Sequence, residues 1–178
     1  GGATLQQVGI QHTTVGKDSI YYDNANLDMF HQSEEGVLPR KKIRIRWYNQ
    51  EHRWFLETKT SSVEGRYKRI ANQGYLQIDK KIYPNKFLDE MYGIIEPSLL
   101  VCYERSYFAL KGLRLTFDTS ITYNNRRFIR SNKVQDPERV MEIKTSTECP
   151  EDFIESIIPY SSSRFSKYSR GILLTSGS

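Results

Sequence analysis

The sequence predicts an α+β, mainly β domain: an antiparallel β-barrel with a few short peripheral helices. Three observations predict it. Residues 41–48 alternate charged and apolar side chains with the two-residue period of a strand. The chain carries 12 Tyr, 8 Phe and 2 Trp, side chains that favour strands. Its apolar segments are short, and Gly, Pro and Asn breaks separate them as hairpin turns would.

Taken in order, residues 1–18 are polar and weakly patterned and read as irregular, so the domain is expected over 19–171, with 172–178 as a tail. Residues 19–23 read as a short strand. Residues 26–33 suit a short helix closed by Gly36. Strand 41–48 is followed, after the polar break at 49–52, by a partner over 53–59. Residues 64–70 suit a third strand. After Pro84, residues 85–92 suit a helix capped by Asn85. Residues 99–110 form a long strand, Lys111-Gly112 a turn, and 113–120 its partner. Asn124-Asn125 signals another turn, and 140–145 another strand. Pro150, with Glu151 and Asp152 behind it, opens a helix bearing Phe153, Ile154, Ile157 and Ile158, which Pro159 stops. Residues 165–168 read as a last helical piece.

The 178 residues suit one domain. At 38% hydrophobic and 26% charged, the chain has the balance of a folded protein. Its net charge of +5 reads on its own as a mildly basic solvated surface, with a polyanionic partner as the alternative: nucleic acid, an anionic membrane surface, a nucleotide or a phosphate polymer. Cys102 and Cys149 belong to no C-x-x-C pair, so a zinc site is not expected, and a reducing, cytoplasmic compartment is. No apolar run approaches the ~20 residues that span a bilayer, and no signal-peptide pattern stands at Gly1. Gly1-Gly2 and Ser176-Gly177-Ser178 read as linker residues. His12, His31 and His52 are scattered without metal-ligand spacing.

The strands carry charge in an unusual pattern. Lys42, Arg44 and Arg46 share one face of their strand, with Ile43, Ile45 and Trp47 on the other. Glu57 and Lys59 share a face, as do Arg114, Thr116 and Asp118, and Glu142 and Lys144. Arg105 sits between Tyr103 and Tyr107. A single stripe of this kind is usually a solvated face. Lys and Glu are nevertheless depleted in strands, and five strands repeat the pattern. If those faces curl inward, they line a cavity whose cations would repel one another when dry and empty. A polyanion with a divalent metal would neutralise it. Guanidinium groups pair with phosphate oxygens, and carboxylates bind Mg²⁺ or Mn²⁺.

The runs 42–48, 55–59, 103–107, 113–118, 141–144 and Ser166-Lys167-Tyr168, with Tyr21-Tyr22-Asp23 ahead of them, resemble in order the segments of VTC domains. These belong with the CYTH-like triphosphate tunnel metalloenzymes. The resemblance covers about residues 19–171. It implies a tunnel of antiparallel strands with ATP as donor and inorganic polyphosphate or pyrophosphate as acceptor. It implies that Arg44, Arg46, Lys59, Arg105 and Arg114 hold the triphosphate, that Glu142 holds the metal, and that Lys167 meets phosphate at the tunnel end. Lys42, Arg66 and Lys144 join the phosphate site, and Glu57 the metal site. The family begins with a further strand and helix, which residues 1–18 lack as read here, leaving the tunnel open on one side.

The resulting expectation is a metal-dependent phosphotransferase that builds polyphosphate from the γ-phosphate of ATP, without a catalytic Ser or Cys. A triphosphatase using water as acceptor shares the same tunnel. A polyphosphate-binding module without turnover is favoured by the missing strand. A nuclease using Asp118 with Glu142-Ile143-Lys144 fits loosely but leaves the Arg-bearing strands without a task, so no nucleic-acid partner is expected. A membrane partner is compatible with the sequence.

Overall fold

The computed structural model describes residues 11–48, 53–75, 84–110, 112–145 and 165–177. Its elements are β1 (Gln11–Asp23), α1 (Asp28–Glu35), β2 (Arg40–Tyr48), β3 (Arg53–Ser62), β4 (Gly65–Tyr75), β5 (Phe87–Asp89), β6 (Gly93–Leu110), β7 (Leu113–Asn125), β8 (Val134–Gln135), β9 (Val140–Thr145) and α2 (Lys167–Ser176). All strand pairings are antiparallel, in the order β4-β3-β2-β1-β6-β7-β8, with β5 on β6 and β9 on β7. The sheet curls into a half-barrel.

Alternation along the strands gives the sheet two dissimilar faces. On one, Ile20, Tyr22, Ile43, Ile45 and Trp47 pack with Met29, Tyr92 and Ile95. Burying an Ile such as Ile43 or Ile45 stabilises by about 1.5–3 kcal/mol over leaving it exposed. On the other, Tyr21, Leu99, Val101, Tyr103, Ile121 and Tyr123 pack beneath Leu27, Phe30, Tyr168 and Ile172 from the two helical segments. A bulge between Cys102 and Glu104, opposite Ser120 with φ of 52°, resets the parity of β7. Asp118 therefore shares a face with Ile121 and Tyr123, and the apolar floor under α2 runs directly into the charged part of the sheet.

Several sequence expectations change. Residues 11–18 belong to β1, pairing with β2 and β6, so the irregular segment predicted over 1–18 does not extend to Ser19. Their polar side chains hide a strand that main-chain pairing secures, with β6 along its whole length and with β2 only from Lys17 onward. The helix predicted over 85–92 is β5 and a turn. Asp89 Oδ2 accepts from Met91 N (3.0 Å) and Tyr92 N (3.1 Å), and Phe87 packs on Tyr22 with ring centroids 4.8 Å apart. A side-chain-ordered turn and tertiary burial outweigh the local helical pattern. The tail predicted at 172–178 is largely the second half of α2, held by burial of Gly171 and Ile172. Helix α1 starts two residues later than expected: Asp23 accepts from Met29 N and Phe30 N at 3.0 Å each, capping the helix from the end of β1. The helix predicted from Pro150, the Ser161–Ser163 connector and Cys149 lie outside the described residues.

Candidate functional site

Register decides which charged side chains meet. Tyr21 lies opposite Arg44, and Arg44 opposite Glu57. On the far side of β1, Val15 lies opposite Arg105, and Arg105 opposite Asp118. All project from the same face, and two carboxylates organise them.

Glu57, 5% exposed, accepts from Arg44 Nε at 2.6 Å and lies 3.9 Å from Arg46. Arg44 also donates to the Tyr21 hydroxyl at 3.0 Å. Asp118, 2% exposed, accepts from Arg105 Nε (2.7 Å), Arg105 NH2 (2.8 Å) and Lys167 Nζ (2.7 Å). Tyr103 joins the groups. Its hydroxyl accepts from Arg46 NH2 at 2.9 Å, and its ring faces Lys167 Nζ at 4.5 Å and Arg105 at 5.4 Å. Arg44, Arg46, Arg105 and Lys167 thus converge about two carboxylates. Lys17, also buried, adds a further cation over the Tyr107 ring at 5.5 Å.

The local potential is positive, and the Tyr21 phenol registers it. Burial pushes the Tyr21 phenol up, but Arg44, Lys167 and Arg46 more than offset this and lower its pKa to about 8. Burial pulls the Arg44 guanidinium down, yet Tyr21 and Glu57 raise it further, so it stays charged. Burial raises the Asp118 carboxyl, but the hydrogen bonds from Arg105 and the charge of Lys167 hold it below its ordinary range. Among the described residues, two buried polar atoms on this face, Arg46 Nε and Ser19 Oγ, lack a hydrogen-bond partner; the two residues oppose each other between β1 and β2.

At each side of the charged face stands a cross-strand pair of like charges. Lys42 opposes Lys59 between β2 and β3, and Arg114 opposes Lys144 between β7 and β9. Such pairs destabilise a sheet unless an anion lies between them. Beside the second pair is a cavity of about 540 Å³, whose lining includes Arg105, Tyr107, Arg114, Thr116, Glu142 and Lys144. Beside the first is one of about 90 Å³ lined by Arg40, Lys42, Lys59 and Ser166 among others. Lys42 Nζ donates to Ser166 Oγ at 2.9 Å.

Of the residues singled out by sequence, Arg44, Arg46, Glu57, Arg105 and Lys167 are brought together. Arg114, Glu142 and Lys144 line the β7–β9 side, and Lys42 and Lys59 the β2–β3 side. Arg66 sits in β4 opposite Ser61. Glu57 faces Arg44 and Arg46, an arrangement for holding guanidinium groups. Among the described residues no three His, Cys, Asp or Glu side chains cluster as a metal cage. Glu142 is an exposed carboxylate on β9. Mg²⁺ is usually held by one or two carboxylates plus substrate phosphates, so Glu142 fits a metal that arrives with a phosphate ligand. Asp118, the centre of the nuclease alternative, has its oxygens engaged by two cations.

Sequence reasoning missed Lys17, Tyr21 and Tyr103 as site residues. Lys17 lay in the segment read as irregular. The tyrosines entered only as strand-favouring side chains, and nothing local distinguishes these two from the other phenols.

A family model described as the VTC domain matches residues 6–176 of the chain. No curated protein sequence matches it. Among solved structures, the one titled "Structure of PH1819 protein from Pyrococcus Horikoshii OT3" is similar at 18% identity, covering 83% of this chain and 72% of that one, with a TM-score of 0.44.

Proposed function

The chain belongs to the VTC-domain family, and from that premise we propose that its charged face binds linear polyphosphate and ATP and transfers the γ-phosphate of ATP to the polymer's end. The observation that carries this reading is the convergence of Arg44, Arg46, Arg105 and Lys167 about two carboxylates among the described residues. Cations held in place by buried acids need no reorganisation when an anion arrives, which is how positive groups stabilise a phosphoryl-transfer transition state.

The division of labour follows from position. Arg44 and Arg46, fixed by Glu57, Tyr21 and Tyr103, hold phosphate oxygens on the β2 side. Arg105 and Lys167, fixed by Asp118, hold them on the β6–β7 side. Arg114 and Lys144 neutralise the strand of phosphates that leaves past β9, and Lys42 and Lys59 do so past β2. Arg66 extends the phosphate contacts at β4. Mn²⁺ or Mg²⁺ held by Glu142 would neutralise charge on the transferring phosphate. An oxygen of the acceptor's terminal phosphate attacks the γ-phosphorus, the bond from that phosphorus to the β–γ bridging oxygen breaks, and ADP leaves with its electron pair. Aligning the reactants and screening their charge is enough to drive such a transfer, so no covalent nucleophile is required.

Incubation with ATP and Mg²⁺ or Mn²⁺, with long-chain polyphosphate and orthophosphate measured together, tests the reading. Polymer growth lost in Arg44→Ala and Glu142→Ala is the expected result. Orthophosphate alone would make the protein a triphosphatase. Polyphosphate binding without turnover under either metal would make it a binding module.

A further inference from the structure

A second cationic feature lies outside the charged face. Residues 126–135, between β7 and β8 and into β8, read Arg-Arg-Phe-Ile-Arg-Ser-Asn-Lys-Val-Gln, with four cations and no acid. Arg126, Arg127, Arg130 and Lys133 are exposed. Between them Phe128 is 52% exposed and Ile129 wholly so. The base of the loop is built, not loose. Arg126 N donates to Ser98 O at 2.8 Å, Arg127 N to Asn125 Oδ1 at 3.0 Å, and Ser131 Oγ to Asn124 Oδ1 at 2.8 Å. Arg127 is further tied to Ala25 O at 3.0 Å. The nearest following acid, Asp136, is buried and accepts from Arg170 and Tyr123. It therefore does not neutralise the loop.

We propose that the 126–133 loop docks the domain on a membrane surface bearing anionic lipid, with Phe128 and Ile129 entering the headgroup boundary and the flanking cations meeting lipid phosphates and carboxylates. Apolar side chains presented at a tip, ringed by unneutralised Arg and Lys, match such a surface in both of its properties. An apolar protein groove would not select the cations, and a soluble polyanion would not select the Phe-Ile tip. Another exposed apolar pair among the described residues, Leu88 opposite Ile94, is flanked by Lys86, Glu90 and Glu96, a mixture of signs that selects no charged surface. Helix α2 ends beside the loop, since Asn125 donates to Thr175 Oγ1 at 3.1 Å.

Co-sedimentation of the whole chain with phosphatidylcholine vesicles, with and without phosphatidylserine, tests this. Wild type is expected to partition onto the phosphatidylserine vesicles and to be released by salt. Arg126→Gln with Arg130→Gln should weaken partition about thirtyfold, roughly fivefold for each cation removed. Phe128→Ser with Ile129→Ser should weaken it with the charge intact, while circular dichroism and polyphosphate binding stay as in wild type. Phe128→Trp should shift its emission to the blue on phosphatidylserine vesicles. Equal binding to neutral vesicles, absence of binding to either, or loss of binding in Arg44→Gln instead of the loop variants would each overturn the proposal. The last would mean that the charged face, not the loop, meets the headgroups.

Discussion

Lys167, the first residue of α2, reaches Asp118 on β7 at 2.7 Å, while its neighbour Ser166 accepts from Lys42 on β2. In the sheet order, β1 and β6 separate β2 from β7. A helix start thus spans the concave face from one cation cluster to the other, and Asp118 is its anchor.

Asp118→Asn should therefore cost more than a surface change. It leaves Arg105 and Lys167 without their shared carboxylate in a largely buried setting, for which about 3 kcal/mol is the expected scale. A melting curve should shift down by roughly 6–12 °C for a chain of this length. The same residue sets an acid limit. Its folded pKa lies below the unfolded value of about 3.9, so its contribution is full above that value. Stability should fall as pH drops below about 3.9, and the slope should be shallower in Asp118→Asn.

How much of this was open to sequence reading depends on what fixes each part. The charged stripes were legible because strand alternation is local: Lys42, Arg44 and Arg46 face one way whatever else happens. That Arg44 meets Glu57 was not, because the pairing depends on the register of β2 against β3. Asp118 was assigned to the nuclease alternative, since neither its partners on β6 and α2 nor the bulge at Ser120 leaves a mark in the residues around it. The first half of β1 was hidden because its hold is main-chain pairing with β6, which any side chain can make.

The Tyr21 phenol should make phosphate binding sensitive to alkali. Its pKa of about 8 lies below the ordinary tyrosine value of about 10 because three cations surround it. Raising the pH through 8 places a phenolate beside Arg44, which competes with phosphate for that guanidinium. Polyphosphate affinity, measured by calorimetry, should weaken between pH 7.5 and 9 on the order of fivefold as the charge appears. Tyr21→Phe should remove most of that loss, leaving only the change common to the other groups. The sign for folding is opposite: a depressed pKa adds stability as pH rises from 8 toward 10, so unliganded wild type should gain relative to Tyr21→Phe over that range. A phenol absorbance titration with its midpoint near 10 and no step near 8 would contradict the assignment.

Gly171 controls how α2 sits. A Cβ built there would meet Leu99 Cδ2 and lie 2.6 Å from Tyr123 Cδ1, both in the apolar floor beneath the helix. Helix propensity favours Ala over Gly by about 1 kcal/mol, whereas overpacking a tight core costs about 1–3 kcal/mol. Because Leu99 and Tyr123 are fully buried and cannot swing away, the clash should win. Gly171→Ala should lower the melting temperature, and polyphosphate affinity should fall with it, since Lys167 rides on the same helix. An unchanged melting temperature would mean that α2 shifts freely.

The Arg114–Lys144 pair offers a separation of binding from folding. Two cations face each other across β7 and β9, and both are exposed. In the absence of ligand their repulsion should cost the sheet a few tenths of a kcal/mol, within the roughly 0.2–1 kcal/mol range of cross-strand pairs. Lys144→Gln should therefore raise the unliganded melting temperature by about 0.5–2 °C at low ionic strength. The gain should disappear at high salt, where exposed charges are screened, whereas a gain from better packing would persist. The same variant should bind polyphosphate several-fold more weakly and with a shallower salt dependence, because one phosphate contact is gone. A residue kept only for the sheet would change both quantities in the same direction. Opposite signs in melting temperature and affinity would mark Lys144 as a cation whose repulsion is tolerated because an anion relieves it.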